Sequence, residues 1–367
     1  MADVWQPRYT LTNSIVNGLT RIESARTVVE TAPISPIALA ELSRQAKIRA
    51  THYSTRIEGN RMTLDEAEDI ISGRRRIFHG RERDVAEIRN YWDALTWVEA
   101  LADKKKPITE DTIKRIQAMV MHGKRSKAAP YRTGQNVIRD SGSGGIVYMP
   151  PEAHDVPLLM GQMVCWIRYA GMEGISPVII AGLAHYQFVT IHPYYDGNGR
   201  AARLLATHLL HRDGYGLKGI FSHEEYHSRN IEAYYKALDV GDHHNYYMGR
   251  ADADITGWLE YFVRTLSAVF ESARQEALKH TGTAASSIPD ELRMLDHRAR
   301  TVLALFSQQE QITSSDVATT LGLSERMARV HLAGWVDDGW LQIYDPSRRA
   351  RKYSLAESVR RYLSADH

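Results

Sequence analysis

The chain has 367 residues, enough for two or three domains and a sizeable core. Its 43% hydrophobic and 25% charged residues match an ordinary globular protein, and a formal net charge of +2 supplies no global field that would demand nucleic acid or a membrane surface. No apolar run approaches membrane length and MADVWQPRYT lacks the apolar centre of a signal peptide, so a cytoplasmic protein is expected.

The first helix is expected near Asn13–Glu30. Ser35 and Pro36, an N-cap followed by proline at the first helical position, open a helix that runs through ALAELSRQAKIRATHYSTRI. Glu58 falls at its C-terminal end, with Gly59-Asn60 as the stop. An acid there opposes the helix dipole and wants a cationic partner from elsewhere. Thr63 and Glu66 spell a capping box for the next helix, which should end at Gly73. Arg74-Arg75-Arg76 beyond it reads as a solvated loop. Residues 79–105 predict an amphipathic helix with Tyr91, Trp92, Leu95 and Val98 in the core, and another helix follows Thr109. NVIRD and GIVYM then flank a Ser/Gly turn, which predicts a β-hairpin within residues 135–149. The single cysteine, Cys165, excludes an intrachain disulfide, and its setting in LLMGQMVCWIRYA predicts a buried thiol.

Ser176 as N-cap and Pro177 behind it open a buried helix that runs to Ile191. HPYYDGNGRAAR, His192 to Arg203, follows as a loop whose end opens the next helix, and Gly214 is that helix's left-handed stop. Arg200 and Arg203 share one face of the first turn, where the dipole is already positive. Gly197-Asn198-Gly199 can turn successive N–H groups toward one point, as an anion nest does. Both features suit an anion with several charges. Asp196 is the lone acid of the segment, placed to hold a divalent cation beside that anion, and a phosphate chain with Mg²⁺ meets both demands. His192 is the one group of the segment that titrates near neutrality, which makes it the candidate general base.

HEEYH, residues 223–227, spells the HExxH zinc pattern, but Asn230 breaks its metzincin extension and zinc is disfavoured. Residues 252–280 predict a last long core helix, and TGTAASSIPD, residues 281–290, a linker. Beyond it the sequence reads helix, turn at Gly322, and a second helix capped by Ser324. A strand, a basic turn with Arg348, Arg349, Arg351 and Lys352, and a second strand follow. That turn could meet phosphate, yet Asp290–His367 holds eleven Lys/Arg against eleven Asp/Glu, which favours protein docking or homodimerisation over DNA. No GxxxxGK[ST] loop exists, and a helix rather than a strand precedes Gly197-x-Gly199-x-x-Ala202, so neither a P-loop nor a Rossmann sheet is indicated.

The run from His192 to Arg203 resembles the signature of the Fic family of AMP-transferring enzymes, HxFx[D/E]GNGRxxR. It departs at Tyr194, where the family has a core phenylalanine, which raises the question of what the extra hydroxyl meets. Ser54 to Gly59, STRIEG, resembles the family's inhibitory motif [S/T]xxxE[G/N]. The resemblance implies that Glu58, with Ser54, pairs with Arg203 and keeps the γ-phosphate of ATP from seating. The hairpin resembles the family's flap, on which a target protein docks by strand addition. Tyr234 and Tyr235 resemble its adenine-side aromatics, with a plain core role for one of them equally open, and the C-terminal elements look like a winged helix. The implied fold is all-α, a helical Fic core with a small β-hairpin flap and a C-terminal winged-helix domain. Its expected parts are an N-terminal helical region at 1–105, a catalytic core at 106–280, a linker at 281–290 and a winged helix at 291–367. The implied activity moves AMP from ATP, the co-substrate, to a Ser, Thr or Tyr hydroxyl of a target protein. Mg²⁺ sits at Asp196, the phosphates on Gly197, Asn198, Gly199, Arg200 and Arg203, and the base is His192. Three other readings stand beside it: phosphoryl transfer by a relative with reversed nucleotide orientation, whose signature usually lacks the second glycine or arginine that this chain keeps; removal of AMP by the same fold, with Glu58 positioning water; and a winged-helix transcriptional regulator whose Fic core senses nucleotide.

Overall fold

A computed structural model describes residues 5–74, 78–139, 144–241, 243–281, 295, 297–307, 309–347, 351–357 and 359–360. Two N-terminal helices, α1 (Asn13–Thr31) and α2 (Pro36–Ile57), are each capped by a side chain: Thr12 accepts from Ile15 N–H and Ser35 from Ala38 N–H. The capping box of Thr63 and Glu66 forms as expected and starts α3 (Leu64–Ile71). Then come α4 (Glu82–Ala102) and α5 (Glu110–His122). The hairpin pairs β1 (Ile138–Arg139) with β2 (Ile146–Tyr148) antiparallel. The remaining helices of this part are α6 (Val156–Met172), α7 (Pro177–Ile191), α8 (Asn198–Arg212), α9 (His223–Arg229), α10 (Ile231–Leu238) and α11 (Thr256–Lys279).

The hydropathy of α7 explains the architecture. PVIIAGLAHYQFVTI has apolar residues all round, and the helix is buried on every face. It packs against α6, α8 and α11, so those helices wrap it. α1 lies along α11, and α2 lies against α4 and α9. One apolar cluster runs from Ile15 to Ala277, so the expected N-terminal region and the catalytic core share a single interior.

Beyond it, α12 (His297–Leu303), β3 (Ile312–Thr313), α13 (Ser314–Leu321), α14 (Glu325–Asp337), β4 (Leu341–Asp345) and β5 (Lys352–Leu355) build a second cluster around Val302, Leu332, Trp335 and Trp340. Its antiparallel sheet has the order β3-β5-β4. Gly322 ends α13 at φ 62° and the Ser324 side chain caps α14, as their positions in the sequence predict. This unit touches the first part where α12 packs on α2 and where Lys124 Nζ donates to Gly322 O at 3.1 Å. Most of the expected linker (282–290), Arg75, Arg76, Arg348 and Arg349 lie outside the described residues. Among the described residues, no helix is long and apolar enough to cross a membrane.

Two expectations are corrected. Cys165 is exposed, because α6 turns that position outward while Val164 and Trp166 face the core. Ser176 precedes α7 without a side-chain cap bond, so Pro177 alone marks that start.

Glycine at position 182 permits a close approach inside this core. A Cβ there would come within 2.7 Å of the Phe262 ring, and the Gly182 carbonyl accepts from Trp258 Nε1 at 2.7 Å. Overpacking costs ~1–3 kcal/mol and better helix propensity returns ~1. Gly182→Ala is therefore expected to lower the melting temperature, read by calorimetry; an unchanged or higher value would mean that α7 and α11 are not in that contact.

Candidate active site

α7 stops because His192 leaves the helical region. Its backbone takes φ 50° and ψ 59° while its N–H still bonds to Phe188 O. A left-handed residue other than glycine costs of order 1–3 kcal/mol and persists only when its surroundings fix it. Arg132 supplies that fixation: its Nε donates to His192 O at 3.0 Å and its backbone N–H to Pro193 O at 2.9 Å. The ring is set by Val189 O, 3.3 Å from Nδ1. A carbonyl neighbour makes Nδ1 the protonated nitrogen and leaves Nε2 as the acceptor. Burial drives the imidazole pKa down to about 4, against the opposing pull of Val189 O and the Glu58 charge. The ring is thus neutral at physiological pH, the state a general base requires.

The loop that follows is closed on itself. Asn198 Oδ1 accepts from Tyr194 N–H at 3.0 Å and its Nδ2 donates to Tyr194 O at 2.7 Å. Both ends of the Asn198 side chain therefore brace the turn. What Asn198 offers an anion is its backbone. Gly197 turns the chain at φ 79°, and the first bond back into α8 is Ala201 N–H to Gly197 O. The N–H groups of Asn198, Gly199 and Arg200 stand ahead of any intrahelical acceptor, at the positive end of the dipole. Gln117 from α5 pins this corner, with Nε2 donating to Asp196 O at 3.0 Å.

The two arginines differ. Arg200 is 2% exposed, and its nearest polar neighbours are all long: Asp196 Oδ1 at 3.4 Å, Glu87 Oε1 at 3.8 Å and Met121 Sδ at 3.6 Å. Its Nε is buried with no hydrogen-bond partner among the described residues. A buried guanidinium with such loose partners is suited to take an anion. Arg203 is 0% exposed and tightly held, its Nε on Ser54 Oγ at 2.8 Å and its Nη2 on Ser54 O at 2.9 Å and Glu58 Oε1 at 2.8 Å. Burial would lower its pKa, but the Glu58 carboxylate outweighs that and raises it. Glu58 sits at the C-cap of α2, over the first turn of α8, where a side chain at Gly199 would run into it. The acid at one helix end and the base at another answer each other, as their positions in the sequence suggest.

Asp196 is the solvent-facing acid, its side chain 51% exposed and its Oδ1 accepting from Gly197 N–H. No group of three or more His, Cys, Asp or Glu among the described residues could hold a metal ion. A metal here would be one held by a single carboxylate and the oxygens of a phosphate chain, which is how Mg²⁺ is commonly bound. Asp196 fits that role.

Other expected residues are placed as follows. Tyr194 is buried against Tyr131 and Phe188, and its hydroxyl has no protein partner among the described residues. Tyr234 is 2% exposed and bonds to His185 Nε2 at 2.9 Å, so of the two tyrosines it is the core side chain. Tyr235 is the exposed member of the pair. In the HExxH segment, His223 bonds Thr207 Oγ1 and His227 bonds Tyr261 OH, both as buried core histidines. The hairpin lies beside the loop, stitched to it by Asn136 Nδ2 on Tyr194 O at 3.2 Å and Tyr148 OH on Thr190 O at 2.8 Å. Ile146 and Val147 of β2 are exposed. Sequence reasoning missed Arg132, Gln117 and Glu87, whose only signal is a polar residue amid otherwise ordinary helix or loop.

Residues 107–210 match the model of the Fic/DOC family. The chain is 32% identical over 198 residues to "Protein adenylyltransferase Fic" of Drosophila erecta, covering 54% of this chain and 39% of that protein. It is 30% identical over 199 residues to the protein of the same name from Nematostella vectensis, covering 54% and 45%. The alignment thus spans less than half of these relatives. Among solved structures, a Fic family protein from Desulfovibrio desulfuricans G20 superposes with a TM-score of 0.60 at 25% identity, over 96% of this chain and 99% of that one. A Fic domain containing signaling protein from Bacteroides thetaiotaomicron has the same TM-score at 24% identity, over 73% of this chain and 97% of that one, and shares the fold.

Burial of neutral histidines makes a prediction about pH. His192 and His208 are lowered to about 4 by burial, and His185 and His227 well below their ordinary value for the same reason. In the unfolded chain they take up protons near pH ~6.5, so below that the unfolded state binds more protons and stability falls with pH. The urea midpoint is expected to drop between about pH 7.5 and about pH 5, with the loss continuing toward pH 4. NMR titration of His192 should show no protonation above about pH 5.5; a midpoint near 6.5 would show that burial does not keep it neutral.

Proposed function

Because the chain carries a Fic domain over residues 107–210, we propose that it is a protein adenylyltransferase, moving AMP from ATP to a hydroxyl of a target protein and held off by Glu58. The observation that carries this reading is the neutral His192, its Nε2 open, beside a helix start with free N–H groups and two buried arginines. The phosphates lie over the first turn of α8, with Arg200 and Arg203 as their counter-charges. His192 Nε2 accepts the proton of a Ser, Thr or Tyr hydroxyl. That oxygen attacks the α-phosphorus, the bond to the β-phosphate oxygen breaks, and pyrophosphate leaves. Asp196 would hold a divalent cation, which would supply further neutralisation of the phosphate charge. The exposed edge of the β1–β2 hairpin next to the loop suits an extended target segment. The C-terminal unit reads as a winged helix whose balanced charge favours a protein partner over a duplex.

Glu58 occupies the guanidinium that the γ-phosphate would need. The pair is partly exposed on its acid side, so a preference of about 2 kcal/mol for the closed state is reasonable. On that arithmetic about 3% of molecules are competent at any moment.

Incubated with Mg²⁺ and α-labelled ATP, the protein is expected to transfer label to itself or to a target, and γ-labelled ATP to give none; γ-label transfer would make it a kinase. Glu58→Gly should raise the initial rate at least about tenfold. His192→Ala should abolish transfer in either background while nucleotide still binds. A wild type as fast as Glu58→Gly would refute autoinhibition, and a slower Glu58→Gly would recast Glu58 as a water-positioning residue.

A further inference from the structure

The HExxH segment is unused by the proposed function, yet its acid is among the most buried charges in the chain. Glu224 is 2% exposed, and no metal cluster among the described residues accounts for it. The bonds leading away from Arg203 do. Arg203 Nε donates to Ser54 Oγ at 2.8 Å. The Ser54 hydroxyl hydrogen-bonds in turn to Tyr91, and Tyr91 OH donates to Glu224 Oε1 at 3.2 Å. Every donor points the same way, from guanidinium to carboxylate. Ser54 and Tyr91 are both 0% exposed, so the chain of bonds runs through a medium where such bonds polarise one another. The other oxygen, Glu224 Oε2, accepts from Ser222 Oγ at 3.0 Å. His223, 3.6 Å from Glu224, bonds to Thr207, and burial lowers its pKa.

We propose that Glu224 is a positioning residue: a permanent buried counter-charge that, through Tyr91 and Ser54, holds Arg203 in its phosphate-facing orientation whether or not Glu58 is paired with it. This rests on the reading of Arg203 as a phosphate clamp. Glu58 is 27% exposed at a helix end and must leave before a γ-phosphate can seat. At that moment Arg203 would keep only neutral partners, the oxygens of Ser54 and the hydroxyl of Tyr234. Arginine cannot shed its proton, so a buried one without counter-charge turns toward water or costs several kcal/mol. Glu224 removes that choice. The clamp is thereby preformed, and release of Glu58 alone exposes it.

The test uses the full-length Glu58→Gly protein, in which Arg203 is free, and adds either Glu224→Gln or Tyr91→Phe. The first keeps shape and an acceptor but not charge; the second keeps the ring and breaks the relay. Calorimetric titration with Mg·ATP and with AMP is expected to show about tenfold weaker ATP binding in both variants and unchanged AMP binding. Melting temperatures of Glu58→Gly, Glu224→Gln and the double variant should be non-additive, the double losing more than the sum of the singles. Unchanged ATP affinity in both variants, equal weakening of ATP and AMP, or additive melting losses would overturn the proposal. If Glu58→Gly alone neither prefers ATP over AMP nor transfers α-label, it is the adenylyltransferase reading that fails, and the melting cycle then decides the relay by itself.

Discussion

One guanidinium that cannot lose its charge is buried at 0% exposure, and several helices of this fold are arranged to answer it. α8 carries Arg203, α2 brings Ser54 and Glu58, α4 brings Tyr91, and α9 brings Glu224. Only Glu58 among these partners reaches solvent to any extent. The others are fixed by packing, so the interaction that can change is confined to the one acid at a helix end. The inhibition proposed above would therefore be set at a single position, the solvent-reaching carboxylate of Glu58.

His192 is set by a different constraint. His192 holds a left-handed backbone, which strains the end of α7, and Arg132 offsets that strain by gripping the His192 and Pro193 carbonyls. Arg132 lies at the base of the hairpin, and Asn136 and Tyr148 of the same segment also bond to the loop or to the end of α7. The hairpin is thus tied to the residue whose Nε2 would take a proton from whatever docks along it. Burial of the ring keeps it neutral without a carboxylate partner of its own.

α2 links these parts of the chain. Its last turn presents Glu58 to Arg203, its middle packs on α4 with Lys47 Nζ 2.8 Å from Glu99 Oε2, and α12 of the C-terminal unit rests on it. Asn60 fixes the turn after it, with Nδ2 donating to Asp84 O and Glu87 Oε2 at 3.0 Å each. The helix that carries the movable acid is therefore anchored on both sides of that acid, so Glu58 can change position by its side chain more readily than by its backbone.

Local rules written in the sequence determined the helix starts, the hairpin and the loop between α7 and α8. Caps at Ser35 and Thr63, the αL stop at Gly214 and the full hydrophobicity of α7 depend on a few adjacent residues, so a linear reading finds them. The pairing of Glu58 with Arg203 was also legible, because each opposes its own helix dipole and so advertises a distant partner. Tertiary structure decided the rest. Asn198 turned inward onto Tyr194, Tyr234 went into the core, and Cys165 came to the surface, because which face of a helix or loop is buried depends on what packs beside it. The same holds for Arg132, Gln117 and Glu224: each is an ordinary polar residue in the sequence and acquires a role through a bond to an atom 60, 79 or 133 positions away. Sequence patterns carry local periodicity and charge, whereas contacts across such separations exist only once the chain has closed.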